Sequence, residues 1–248
     1  MKNLMVFLLA VAMLPAFCFS KQPITKKSEK ELVWEKAFAS RIQVIEKMHG
    51  IKFDPDWKPT LTFKIPNDTP PQLRMRFGAQ YFPETQSFVV SPTYESGDID
   101  FSLIDHELGH ALADQVNRRF GNKAWPNTED FERLDWDERI GINIISEGIG
   151  AYFQHQGLAP HLNDGFSGDE WLPNGLVAIL WQILRQSRDS FYRGGRWLVA
   201  PIIKKFGERG ILYLVTHRLR FDDYDIRTAG REYQRLALER LSSDTAVQ

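Results

Sequence analysis

The spacing of the apolar residues changes near residue 100 from strand-like alternation to helical spacing. This change limits the fold more than any other feature of the sequence. Between residues 60 and 92, apolar and polar side chains alternate in short runs separated by proline and glycine, which is typical of strands. From residue 102 to about residue 241, the apolar residues recur at helical spacing. A small N-terminal sheet followed by a mostly helical part predicts an α+β fold and excludes a doubly wound parallel sheet.

Capping residues mark a helix ahead of the sheet. Ser28 and Glu31 stand three positions apart, as in a capping box, and Gly50 suits the C-terminal cap, so we expect a helix at about 28–49. Four apolar residues recur on one face of this helix: Trp34, Phe38, Ile45 and Met48.

The β-rich part at about 60–92 predicts three strands. The first covers 60–65, and a turn follows at 67–71. Residues 78–82 and 86–92 then predict a hairpin that turns at 83–85, with Phe88 and Val90 on one face.

The helical part at about 102–241 begins with the helix on which the chemistry depends. Ser102 is its expected N-cap and Gly121 its expected end. A second helix is predicted from about 137 to 156. Further helices are predicted at about 174–188, 195–207, 208–220 and 228–241.

The first twenty residues have the organisation of a secretory signal peptide, with Lys2, an apolar run from 4 to 19, and the small residues Cys18 and Ser20 before a cut ahead of Lys21. The alternative is an uncleaved membrane anchor. We expect one domain in 21–248 and an exported protein, periplasmic or secreted, with no stable membrane insertion after cleavage. Cleavage also removes the only cysteine, so the mature chain forms no disulfide.

The charges nearly cancel. Lysine and arginine number 31 and aspartate and glutamate 32, for a formal net charge of -1. This balance argues against nucleic acid or an anionic membrane surface as the main partner.

Residues 106–110 read His-Glu-Leu-Gly-His within the helix that begins near Ser102. Positions i and i+4 lie on one face of a helix, so His106 and His110 can bind one metal ion. Glu107 can reach a water on that ion without being a ligand. The alternative is two partly exposed helix histidines beside an incidental glutamate.

This motif resembles that of the zincin metallopeptidases. Residues 146–153, Ser-Glu-Gly-Ile-Gly-Ala-Tyr-Phe, are similar to the glutamate-ligand helix of the gluzincins, which implies Glu147 as the third ligand of Zn²⁺. Ala113 and Val116 stand where metzincins have glycine and histidine. A cation opposite Glu147 would also offset the cost of a carboxylate in this nearly apolar stretch.

Other interpretations of these residues remain open. Glu147 could lie on the exposed edge of an amphipathic helix, and Asp114 is a rival ligand, although it is better placed to hydrogen-bond to a ligand. Three glycines weaken the second helix: Gly141, Gly148 and Gly150. A close approach of this helix to the first would explain them, and ordinary helix packing is the alternative.

The segment from Tyr192 to Gly207 resembles a tyrosine-bearing segment that follows the metal helices in gluzincin-like families. The resemblance implies that Tyr192 or His217 donates to the oxyanion, and the alternative for each is a structural or surface role. His155 and His161 are expected to be surface or loop residues.

The resemblance implies a zinc-dependent peptidase in which Glu107 is the general base, and a peptide or protein substrate held by an edge strand at 86–90. One alternative is a non-catalytic binding protein on the same scaffold. Another is a zinc hydrolase of a non-peptide cell-envelope substrate, which aromatic-bearing loops around Trp125, Trp136 and Trp171 would permit.

Overall fold

The computed structural model describes residues 28–57, 59–63, 78–90, 99, 101–126, 133–154, 190–220 and 229–246. These residues form an α+β structure that is mostly helical and has one three-stranded sheet, as the change of period predicts. Several predictions fall outside the described residues: the signal peptide, the turn at 67–71, the helix at 174–188, and the positions of His155, His161 and Trp171.

Helix α1, Glu29–His49, has the predicted capping box. The Ser28 hydroxyl accepts a hydrogen bond from the Glu31 amide at 3.2 Å, and the Glu31 carboxylate accepts one from the Ser28 amide at 2.6 Å. Gly50 ends the helix with φ +67°, a left-handed conformation that favours glycine.

The apolar face of α1 packs into the core through Trp34, Phe38 and Ile45, which are each 2% exposed. Met48 was predicted on the same face but is 47% exposed. Its neighbour His49 takes the inward side of the last turn, where its ring packs on Tyr152 and Phe153 at centroid distances of 5.2 and 4.8 Å.

The sheet consists of β1, Thr60–Thr62, β2, Ala79–Phe82, and β3, Ser87–Val90, in the order β1-β3-β2. β2 and β3 form the predicted antiparallel hairpin, and β1 is parallel to β3. The prediction that 86–90 is an edge strand is wrong, because β3 has a hydrogen-bonded neighbour on each side. In the described sheet, β1 and β2 are the edges.

Five helices follow the sheet in the described residues: α2, Phe101–Arg119; α3, Trp136–Gln154; α4, Gly195–Phe206; α5, Glu208–Thr216; and α6, Ala229–Ala246. A π-helix, Ser190–Gly194, leads into α4. Because α2 begins at Phe101, Ser102 lies within the helix and is not its N-cap. Gly121 has φ +79° just beyond the end of α2, in agreement with its predicted role. No described helix is long and apolar enough to cross a membrane.

Helix α2 is buried on all sides. It packs against α3, β2, α1 and α5, and every residue from Ile104 to Asn117 except His110 is buried. Buried polar groups are costly unless they have partners. The polar side chains of α2 must therefore be matched by groups on the elements around it, and this requirement positions the site described next.

Candidate metal centre

His106, His110 and Glu147 come together where α2 packs on α3. The Nε2 atoms of His106 and His110 are 3.1 Å apart, and Oε2 of Glu147 lies 3.3 Å from Nε2 of His106. One ligand atom from each of the three residues lies within 4.8 Å of the other two. In the part of the chain that the structure describes, this is the one group of three such side chains that could hold a metal ion.

The donor set and its spacing fit zinc. Two imidazole nitrogens and a carboxylate oxygen, with one position left open, form a ligand set of catalytic zinc. Ligand atoms about 2.0–2.1 Å from zinc at tetrahedral corners are separated by about 3.3 Å, close to the 3.1 and 3.3 Å found here. Oε2 of Glu147 is also buried, and its 3.3 Å contact with Nε2 of His106 does not have hydrogen-bond geometry. A metal ion between the three side chains would satisfy this oxygen.

The second ring nitrogen of each histidine has a partner that turns Nε2 towards the group. Nδ1 of His106 lies 3.2 Å from Oε1 of Gln154, and Nδ1 of His110 lies 3.3 Å from the Ser146 hydroxyl. The Gln154 amide nitrogen donates to the Ser102 hydroxyl at 3.4 Å, which leaves its oxygen facing His106. Because an amide oxygen only accepts, the neutral form of His106 carries its proton on Nδ1 and presents a lone pair at Nε2.

Glu107 lies beside this group without belonging to it. Its side chain is buried, and Oε2 accepts a 2.7 Å hydrogen bond from the Tyr81 amide of β2. Burial raises the pKa of Glu107 to about 7, although His106 and the Tyr81 amide oppose the rise. A carboxyl group with this pKa can both accept and donate a proton near neutral pH.

The side chains of His106, His110 and Glu147 differ in charge. Burial alone would raise the pKa of Glu147, but contacts with His106 and His110 outweigh it and hold the pKa at about 2. Burial lowers the pKa of His106, yet the adjacent Glu147 carboxylate outweighs burial and the pKa lies above its ordinary value. For His110, burial and the charge of His106 together lower the pKa to about 4.

Close approach of the two helices depends on glycine at one of the three predicted positions. A Cβ on Gly150 would lie 2.6 Å from Cε1 of His106, and one on Gly109 of α2 would lie 3.0 Å from Cα of Gly150. Gly148 and Gly141 do not face α2. Gly148 lies against the backbone of Gly195 in α4, and Gly141 lies against the backbone of Leu219.

The structure brings one of the two predicted oxyanion donors to the group. The Tyr192 ring, carried by the π-helix, stacks on the His106 ring at a centroid distance of 5.0 Å, and its hydroxyl hydrogen-bonds to Glu147. His217 is exposed at the end of α5, where its ring stacks on Tyr213 at 4.0 Å and lies beside Thr216. Tyr192 is therefore the better placed of the two.

Asp114 is not a ligand in this arrangement. Its wholly buried carboxylate accepts hydrogen bonds from the Tyr81 hydroxyl at 2.8 Å, the Trp125 amide at 2.8 Å and Nε of Arg118 at 3.0 Å. None of these partners is His106, His110 or Glu147, so the predicted hydrogen bond from Asp114 to a metal ligand is not present.

Three supporting residues were not predicted: Tyr81, Ser146 and Gln154. Gln154 lies two turns after Glu147 on the same face of α3. This spacing is the only sequence signal that could have indicated Gln154.

No family model, no curated protein and no solved structure matches this chain. The function of the site must therefore be inferred from its own residues.

Proposed function

We propose that the protein is an exported zinc-dependent metallopeptidase of the gluzincin-like type. The observation that carries the proposal is the convergence of Nε2 of His106, Nε2 of His110 and Oε2 of Glu147 within 4.8 Å. The buried Oε2 of Glu147 supports it, because its contact with Nε2 of His106 lacks hydrogen-bond geometry and a metal ion would satisfy this oxygen. Export rests on the signal-peptide pattern of residues 1–20.

His106, His110 and Glu147 would hold the zinc ion, with one position open. The ion would lower the pKa of a bound water towards neutrality and polarise the scissile carbonyl. Glu107, next to His106 and outside the ligand set, would take the proton of the attacking water and pass it to the leaving amine. Tyr192, whose ring stacks on that of His106, would donate a hydrogen bond to developing negative charge.

Glu107 favours an enzyme over a non-catalytic metal-binding protein. Metal binding does not use this side chain, and its burial raises its pKa to about 7, which shows that the ionised form is disfavoured where it lies. Hydrolysis, by contrast, needs a proton acceptor at this position.

The edge of the sheet favours an extended peptide as the substrate. The Tyr81 amide of β2 points to Glu107, so the outer edge of this strand faces the site. Because Glu107 occupies the Tyr81 amide, an extended peptide would add to the rest of that edge by main-chain hydrogen bonds. We therefore assign to β2 the role that the sequence had suggested for residues 86–90.

Glu107→Gln tests the proposal. We expect the purified mature chain to hold about one zinc ion per molecule and the variant to hold the same amount, because Glu107 is not a ligand. The variant should lose about 100-fold or more of its turnover of an unbiased peptide library, the usual size of a general-base contribution. Metal content and cleavage are measured on the same samples, and Glu239→Gln, at an exposed glutamate of α6, is the matched control.

Three results would contradict the proposal. Cleavage at the wild-type rate by Glu107→Gln would reject Glu107 as the base. A zinc-loaded wild type that cleaves no peptide would indicate the non-catalytic binding protein. Activity against cell-envelope polymers alone would indicate the non-peptide hydrolase.

A further inference from the structure

Tyr81 of β2 holds α2 at two points. Its backbone amide donates to Oε2 of Glu107 at 2.7 Å, and its side-chain hydroxyl donates to Oδ2 of Asp114 at 2.8 Å. Glu107 and Asp114 are seven positions apart, which is about two helical turns, so they share one face of α2. Tyr81 therefore spans this face, with its main chain at one carboxylate and its side chain at the other.

Several hydrogen bonds hold the Asp114 carboxylate, which accepts the bond from the Tyr81 hydroxyl, in place. Asp114 is wholly buried and also accepts bonds from the Trp125 amide and from Arg118. Arg118 in turn donates to the Pro83 carbonyl at 2.6 Å, directly after β2 ends. Two hydrogen bonds thus tie this segment to the Asp114 region of α2: one from the Tyr81 hydroxyl and one to the Pro83 carbonyl.

The register of β2 determines which amide reaches Glu107. Successive amides of an antiparallel strand point alternately towards and away from its partner. Tyr81 lies opposite Phe88 in β3, and its amide points away from β3 to Glu107. A shift of β2 by one residue would turn the Tyr81 amide towards β3, bring the amide of Gln80 or Phe82 to Glu107 instead, and turn the Tyr81 side chain away from Asp114.

A glutamate side chain has several rotatable bonds. A glutamate that acts as a base therefore needs a fixed partner that holds its carboxylate in one orientation. The Tyr81 amide engages Oε2 of Glu107, which leaves Oε1 for a proton in transfer. We propose that Tyr81 is a positioning residue for Glu107: its amide orients the carboxylate, and the bond from its hydroxyl to Asp114 fixes the strand that carries this amide. The catalytic part of this inference rests on the proposed function of Glu107, whereas the structural part does not.

The experiment uses Tyr81→Phe in the full mature chain, because this change removes the hydroxyl and keeps the ring that packs on Phe88. With zinc bound, we expect kcat on a cleaved peptide to fall about tenfold while KM and zinc affinity stay at wild-type values. Tyr233→Phe is the matched control, since it removes a hydroxyl bond to the His217 carbonyl away from the site and should leave kcat unchanged.

Amide hydrogen exchange followed by NMR supplies a second readout, which needs no substrate. The amide of residue 81 should exchange about tenfold faster in Tyr81→Phe, and faster again in Glu107→Ala, which removes its acceptor. The Gln80 amide, which points to β3, should exchange as in the wild type. Glu107→Ala also tests the contact if Tyr81→Phe does not fold.

The two readouts separate failure of this inference from failure of the proposed function. Unchanged exchange at residue 81 in Glu107→Ala would overturn the contact itself, whatever the activity. Faster exchange with an unchanged kcat in Tyr81→Phe would overturn the positioning role. A drop in kcat that is matched by a loss of bound zinc would also overturn it, because Tyr81 would then act through the metal ligands. If the wild type cleaves nothing, the proposed function fails while the exchange data still decide whether Tyr81 holds Glu107.

Discussion

His106 and His110 differ in charge although they belong to one motif on one helix. The Glu147 carboxylate 3.3 Å away outweighs burial and raises the pKa of His106, whereas burial and the charge of His106 lower the pKa of His110 to about 4. Zinc binds only the neutral imidazole. A zinc ion that binds at the proposed site would therefore compete with one proton at the histidines and not with two.

This difference predicts the pH dependence of zinc binding. The measurement uses Glu107→Gln, because Glu107 is a further group that titrates near neutral pH, with a pKa of about 7. In this variant, zinc affinity should rise about tenfold for each unit by which the pH rises. This slope should hold above the pKa of His110, about 4, and the affinity should level off above the raised pKa of His106. The affinity falls as the pH falls because His106 gains its proton. Competition with a chelator across this range measures the slope.

If zinc affinity rises about 100-fold per pH unit, zinc displaces two protons. Both imidazoles would then be charged in the metal-free site, and the charges assigned to them would be wrong. The surface variant Glu239→Gln should show a steeper dependence near neutral pH, because its Glu107 still titrates.

Sequence spacing predicted the residues that share a helix, but not their supporting partners. His106, Glu107 and His110 follow from a four-residue pattern on one helix face. The partners of these side chains are 48, 26 and 36 positions away, at Gln154, Tyr81 and Ser146. Contacts over such separations depend on how the elements pack, and no local pattern marks them.

At the scale of the elements, the glycines of the helical part serve different interfaces. Gly150 leaves space for the His106 ring between α2 and α3, whereas Gly210 of α5 lies against the Ile202 carbonyl of α4. An added Cβ would displace the His106 ring in the first case and the α4 backbone in the second. The two positions can therefore separate metal binding from stability.

Alanine at each position tests this separation. Gly150→Ala should weaken zinc binding about 10–100-fold, because its Cβ would lie 2.6–2.8 Å from three ring atoms of His106. Gly210→Ala should leave zinc affinity unchanged and lower the free energy of unfolding by about 1–3 kcal/mol, because α4 and α5 must move apart. Zinc titration and denaturant unfolding of both variants are the measurements. Wild-type zinc affinity in Gly150→Ala would place the His106 ring elsewhere.

The hairpin and the edge strand show where element prediction succeeds and fails. The β2–β3 hairpin is local, and its turn residues are adjacent in sequence, so its position followed from the pattern. The pairing of β1 with β3 joins residues 27 positions apart, such as Thr60 and Ser87. Alternation of apolar residues identifies a strand but not its neighbours, and the edge was therefore assigned to the wrong strand.

At the scale of the whole molecule, His106, His110 and Glu147 lie between α2 and α3, the two helices that together contact most of the described elements. α3 supplies Glu147 and packs on α2, on α4 and on the π-helix that carries Tyr192. α1 is tied to α2 beside the site by Arg41, which donates to both carboxylate oxygens of Asp105 at 2.6 and 2.5 Å. A metal ion between α2 and α3 would therefore stabilise the packing of the molecule as well as its site.

Zinc should raise the melting temperature through this coupling. A ligand that binds only the folded state at about 100 times its Kd adds about 2.7 kcal/mol, which corresponds to roughly 5–10 °C for a chain of this size. Glu147→Ala should lose the rise at the same zinc concentration, because one of three ligands is gone. Glu138→Ala, on the same helix but paired with Arg218 at 3.1 Å, should keep it. Calorimetry of each protein with zinc and with chelator measures the shift, and an equal shift in Glu147→Ala and the wild type would show that α3 does not supply the third ligand.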